Sequence, residues 1–146
     1  MFFKYDGKNA IKVPAPFERV MTPLMVKDNV DLELPFSVHY TEWKPGCVID
    51  THVHENAMEM MLCISGKARA MVNGEWFDLV PDSMIVADKN DEHSIINNGD
   101  ETLRILCVFS PPISAKDLRD RAFAAVENSI KNEGGAGSPT RAAAIM

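Results

Sequence analysis

The residues best suited to chemistry are His52, His54, Glu59 and His93. Side chains at i and i+2 of a β-strand leave the same face, so His52-Val53-His54 would present two imidazoles to one ion if Val48 to Val53 is a strand. Glu59 follows a short bend over residues 55–58, which lets its carboxylate return to the same interior. His93 begins a later apolar run and could supply a fourth donor from across a barrel. Imidazole and carboxylate together suit a borderline first-row divalent cation better than calcium or a thiolate-seeking metal. A His-x-His pair alone also occurs on exposed strands without any ligand role, so it gains meaning only from the other two donors.

The elements that must hold these residues read mostly as short strands. Phe36 to Trp43 is rich in aromatic and β-branched residues and ends at the turn Lys44-Pro45-Gly46. Val48 to Val53, Met58 to Ile64 and Ala68 to Val72 follow, and Asn73-Gly74 is the strongest hairpin signal in the chain. Glu75 to Val80, Met84 to Ala87, His93 to Ile96 and Leu103 to Phe109 complete the set. Short strands at this close spacing predict a sandwich or a closed barrel. Ahead of them, residues 1–35 carry Pro14, Pro16, Pro23 and Pro35, too closely placed for a long helix, and read as an irregular arm. Beyond Pro111-Pro112, Ser114 is a plausible N-cap for a helix over Ala115 to Lys131, with Leu118, Ala122, Val126 and Ile130 along one face. The expected divisions are an arm over 1–35, a barrel over 36–112, a helix packed on it over 113–133, and a flexible tail over 134–146.

Gly46, His52, His54, Glu59 and Gly66 stand as G-x5-H-x-H-x4-E-x6-G, and His93 and Asn97 as H-x3-N. This resembles the two signatures of the cupin superfamily. Asn90 occupies a common Gly or Asn site, whereas Asp82 replaces a usual glycine, and Asp88 and Glu92 stand where prolines are often found. The resemblance covers about residues 36–110. It implies an all-β, cupin-type jelly-roll barrel, a small single-domain metal-binding chain, and His52, His54, Glu59 and His93 as metal ligands.

The walls around such a site give weaker signals. Strand alternation puts Met61 and Cys63 on the side of Glu59, and Ile95 on the side of His93, so these are candidate pocket residues and equally candidates for plain core packing. His39 alternates with Thr41 and Trp43 and could face the pocket or the surface. Arg69 and Arg104 lie on strands and could clamp an anionic substrate, although a strand arginine is more often a solvated outer charge. Glu92, directly before His93, could act as a base beside Glu59, but Asp88-Lys89-Asn90-Asp91-Glu92 also reads as a solvated turn.

Composition narrows the partners. Lys and Arg total 15 against 21 Asp and Glu, a net charge of −6 that argues against a nucleic-acid surface. No apolar run approaches the roughly 20 residues of a membrane span, and the opening segment lacks a signal peptide's apolar region, which points to the cytoplasm. The three cysteines, Cys47, Cys63 and Cys107, form no C-x-x-C pair and are expected to be reduced. No nucleophile triad, phosphate loop or dinucleotide fingerprint is present.

Three imidazoles and a carboxylate leave open positions on an ion for water, substrate or dioxygen. The expected activity is therefore a metal-dependent enzyme acting on a small polar organic molecule. A dioxygenase with Fe2+ comes first. Isomerase or lyase chemistry with Mn2+, Ni2+ or Zn2+ comes second, and a non-catalytic ligand-binding cupin is the alternative. The proline-rich arm and the helix flank a barrel too small to need both, and with the resemblance they suggest a homodimer.

Overall fold

The computed structural model describes residues 1–133, so the tail expected over 134–146 lies outside the described residues. Alternation sets the inward faces of the strands. On β3, Ser37–Trp43, the odd-numbered Ser37, His39, Thr41 and Trp43 are buried while Val38, Tyr40 and Glu42 are half-buried. The central β10, Leu103–Ser110, buries Leu103, Ile105, Cys107 and Phe109, and β5, Met58–Ser65, buries Glu59, Met61 and Cys63. β10 pairs antiparallel with both neighbours, which sets Cys107 opposite His39 on one side and Met61 on the other. β8, Met84–Ala87, extends this sheet beyond β5.

A second sheet contains β4, Val48–His52; β6, Ala68–Val72; β7, Glu75–Leu79; and β9, His93–Ile96, in the order β4-β9-β6-β7. Asn73 and Gly74 join β6 to β7 with φ of 49° and 84°, the double left-handed conformation that a tight hairpin requires. Between the sheets, Trp43, Met61, Leu79, Ile95, Leu103 and Ile105 form the main apolar cluster. Full burial of each large side chain contributes roughly 1.5–3 kcal/mol. Asn97, fully buried, ties the barrel's end together: its Nδ2 donates to the Trp43 and Glu101 carbonyls, and its Oδ1 accepts from the Gly99 amide. Asp82, in place of the usual glycine, adopts φ of 68°, and Asn90 adopts 64°, so both keep the backbone bend. The architecture is the all-β jelly-roll barrel expected, with one C-terminal helix among the described residues.

The first 35 residues depart from the expected irregular arm. β1, Ile11–Val13, and β2, Arg19–Met25, join the large sheet in the order β1-β2-β3-β10-β5-β8. Pro23 argued against a strand, but β2 is irregular between Pro23 and Met25 where it faces β3, and such an irregularity accommodates a residue that cannot donate.

Helix α1, Ala115–Glu133, is capped by Ser114, whose Oγ accepts from the Asp117 amide at 3.0 Å. Asp28 Oδ1 accepts from the Ala115 amide and anchors the same end to the barrel. Leu118, Ala122 and Val126 pack against Ile11, Val13, Met21 and Phe109. Ile130, grouped with that face by its spacing, is 59% exposed. Residues four apart rotate by about 40° per step on a helix of 3.6 residues per turn, so a stripe begun at Leu118 has left the barrel by Ile130. No helix among the described residues is long and apolar enough to cross a membrane.

Candidate metal centre

β4 pairs with β9 with Ile49 opposite Ile95 and His52 opposite His93. Three steps along β4 therefore match two along β9, and this bulge turns His52 inward beside His93. The strand ends at His52, so His54 reaches the same point from the segment after it rather than by strict strand parity. Glu59 enters from β5 in the facing sheet. One donor atom from each of His52, His54, Glu59 and His93 lies within 4.8 Å of all the others. Glu59 and His93 are buried, and the other two are half-buried.

Backbone carbonyls orient the rings. His52 Nδ1 donates to the Asp50 carbonyl at 2.8 Å, and His93 Nδ1 donates to the Asp91 carbonyl at 2.9 Å. Each ring keeps its Nε2 for the interior, the arrangement by which ligating imidazoles are usually fixed. His93 Nε2 stands 3.3 Å and His54 Nε2 3.1 Å from the same oxygen, Glu59 Oε2. A neutral His93 protonated at Nδ1 would aim a lone pair at a carboxylate, so a cation belongs between them, whether a proton or a metal ion. The residues present therefore fit a divalent metal.

The titration tendencies agree. Burial would raise the Glu59 carboxyl, but hydrogen bonds from His54 and His93 outweigh it and hold it well below the usual carboxylate range. Burial and the neighbouring His93 lower His52. For His93, burial lowers while the Glu59 hydrogen bond and the Asp91 carbonyl raise, with a net rise.

The donors open into a cavity of about 520 Å³ whose walls include Met61, Ile95, Ile105 and Phe109. Of the pocket residues expected from sequence, His39, Met61 and Ile95 line it. His39 is buried, stacks on Phe109 at 5.7 Å, and burial lowers its pKa to about 4, so it is neutral near pH 7.

Other expected residues lie elsewhere. Cys63 shares the parity of Glu59 but sits deeper, in the apolar cluster, with Sγ toward the Ser65 and Gly66 carbonyls. Arg69 alternates with the inward Ala68 and Ala70, so it points outward, where it pairs with Asp78 at 3.3 Å and lies over Trp76. Arg104 likewise pairs with Glu42 on the outer face. Glu92 is exposed and does not line the cavity; its backbone is held by Asn73.

Among the cavity residues not anticipated, three carry chemistry of note. Cys107 clusters with His39 and Glu59, all buried, on the far side of the carboxylate, where burial and then Glu59 push its thiol well up. The alternation of β10 could have revealed it. Arg19 on β2 and Arg121 on α1 also line the cavity, and only the packing of those elements on the barrel brings them there.

Residues 39–109 match the family described as the cupin domain. Fold, site and this match agree, and the chain belongs to the cupin superfamily. Within it, the chain is similar to L-ectoine synthases. It is 31% identical to that of Bordetella parapertussis over 130 residues, which span 84% of this chain and 97% of the relative. It is 32% identical to that of Vibrio campbellii over 99 residues, 66% of this chain and 73% of the relative. Among solved structures, ectoine synthase from P. lautus superposes with a TM-score of 0.68 at 22% identity, covering 83% of this chain and 86% of that one. KdgF from Halomonas sp. gives 0.63 at 20%, covering 76% and 93%; at these identities both likenesses concern the fold.

Proposed function

We propose that the chain is a metal-dependent cupin enzyme acting on a small polar organic molecule by lyase chemistry, with loss or addition of water as the leading reaction. The convergence of His52, His54, Glu59 and His93 at the base of a cavity of about 520 Å³ carries this reading. The L-ectoine synthase relatives support an enzyme acting on a small molecule and favour lyase chemistry for it. They give no support to the dioxygenase expected first, and the lyase alternative takes its place. A divalent ion held by the four donors would supply Lewis-acid polarisation of a substrate oxygen.

The chain's own residues supply the rest. The Asp50 and Asp91 carbonyls hold two imidazoles in one tautomer, and Glu59 stays anionic. Met61 and Phe109 from one sheet and Ile95 from the other give the cavity apolar lining on both sides. Iron(II), manganese, nickel and zinc all accept this donor set, so cellular supply decides among them. A cytoplasmic homodimer without a nucleic-acid partner belongs to the same reading, supported by the net charge of −6. Its mass in solution tests the dimer.

The test of activity is incubation of metal-loaded protein with L-ectoine and with a panel of small amides, amino acids and hydroxy acids, followed by mass spectrometry. The reading expects a product that differs from its substrate by one water, with no oxygen uptake. Oxygen consumption with oxygen atoms in the product would contradict it. No turnover with any of these metals would put the non-catalytic binding module first.

A further inference from the structure

Three adjacent strands of the larger sheet bring a second set of donors to one face. His39 of β3 lies directly opposite Cys107 of β10 in the antiparallel ladder. Cys107 in turn stands opposite Met61 of β5, and Glu59 is two residues along the same inward face of that strand. Directly opposed residues carry their Cβ atoms about 5 Å apart and diagonal ones about 7–8 Å, which long side chains span. One donor atom from each of His39, Glu59 and Cys107 accordingly lies within 4.8 Å of the other two.

All three residues are buried, with exposures of 4%, 6% and 3%, yet all line the cavity. The rings of His52, His54 and His93 have hydrogen-bond partners, whereas the His39 ring has none among the described residues. A neutral imidazole keeps a free lone pair on one nitrogen, so this buried ring has a donor to give. Imidazole, carboxylate and thiolate on one rigid sheet make a ligand set for a thiophilic ion, and three protein donors beside a cavity leave a position for water. Thiolate and carboxylate together balance the two charges of a divalent ion. Arg19, whose charge acts on Glu59 and Cys107, then faces a neutral set rather than an added cation.

We propose that His39, Glu59 and Cys107 form a second metal seat, selective for thiophilic ions such as Cd2+, that shares Glu59 with the three-histidine centre. When it fills, a metal–sulfur bond forms and the thiol proton leaves to solvent. The centre has four donors and no thiol proton to displace, so it binds first. The second seat takes an ion only when a thiophilic metal is supplied in excess. The inference goes beyond the metal-enzyme reading, because the sulfur donor answers to a class of ion that the three imidazoles do not select.

The experiment is titration of reduced, metal-free protein with Cd2+, read by the ultraviolet charge-transfer band of a cadmium–thiolate bond and by the acid released. Wild type, Cys107→Ala, His39→Gln and Cys47→Ser are compared, each also in the His52→Ala/His54→Ala background, which keeps the three donors of the seat. Circular dichroism checks the fold of every sample. Wild type and the double variant are expected to develop a band worth one thiolate per chain. Cys107→Ala is expected to lose the band and Cys47→Ser to keep it. His39→Gln is expected to need at least about tenfold more Cd2+, since even partners outside a ligand set alter affinity by that much. A band absent from folded wild type or the folded double variant, kept by folded Cys107→Ala, lost with Cys47→Ser, or reached at the same Cd2+ in folded His39→Gln would overturn the proposal. The double-variant arm makes no use of the three-histidine set, so failure of the centre and failure of the seat give separate results.

Discussion

His52 lies directly opposite His93 in the β4–β9 ladder, with ring centroids 4.2 Å apart. The bulge between Ile49 and His52 makes this pairing, and both Nδ1 atoms are already engaged by carbonyls. The folded chain therefore carries a preformed set of donors that an unfolded chain lacks, so a bound ion stabilises the fold by mass action. Chelation of the metal-loaded protein is expected to lower its melting temperature by about 5–10 °C, from roughly 2.7 kcal/mol at a hundredfold excess over Kd. Calorimetry with and without chelator measures it, and an unchanged melting temperature would mean that no ion is held.

Gly66 closes the β5–β6 turn with φ of 85°, and a Cβ there would lie 2.8 Å from the Thr102 carbonyl oxygen and 2.9 Å from Leu103 Cα. Gly46 has a similar φ of 82° but open space around it. Gly46→Ala is expected to cost only the backbone strain, about 1 kcal/mol, and Gly66→Ala to cost clearly more, about 2–4 kcal/mol. Urea unfolding of the two variants provides the comparison.

The buried His39 gives a pH dependence with a defined sign. Below its ordinary value of 6.5 the unfolded chain takes up a proton that folded His39 refuses until about pH 4. The unfolded state then binds more protons, so stability falls as pH drops through this window and is regained as pH rises. The contribution is about 3 kcal/mol over the full interval. Metal-free His39→Gln is expected to lose less stability than metal-free wild type between about pH 7 and about pH 4.5. Parallel slopes in urea unfolding would show that His39 is not the group responsible.

Glu92 and Arg69 make the opposite kind of prediction. Glu92 is exposed, and Arg69 is paired with Asp78 on the outer face. Glu92→Gln and Arg69→Ala are expected to leave metal content unchanged and stability within about 0.5 kcal/mol, as for most surface substitutions. Elemental analysis and urea unfolding check both. Loss of metal from Glu92→Gln would return that residue to the site.

The sequence made legible what depends on local spacing. The donors follow from His-x-His and the carboxylate five residues on, and Asn73-Gly74 announced its hairpin because few residue pairs accept two left-handed conformations. Parity gave the side of a strand but not the depth along it, which is why Met61 meets the cavity while Cys63 lies beneath it. Parity gave no orientation for an isolated strand either, and Arg69 needed the burial of Ala68 and Ala70 to show which way it points. β2 was hidden because Pro23 masks a strand whose irregular pairing tolerates it. Arg19 and Arg121 were out of reach for a further reason: they meet the site only when the first and last elements pack on the barrel, a relation across about a hundred residues that no local pattern encodes.

The central claim is that His52, His54, Glu59 and His93 together hold one divalent metal ion. Its most direct test is elemental analysis of freshly purified, untagged protein, prepared without chelator, beside the His52→Ala/His54→Ala double variant. About one equivalent of a first-row metal is expected in wild type and almost none in the variant, with the same far-ultraviolet circular dichroism, because neither substituted histidine belongs to the apolar cluster between the sheets. Full metal content in the folded double variant, or none in wild type after reconstitution, would contradict it.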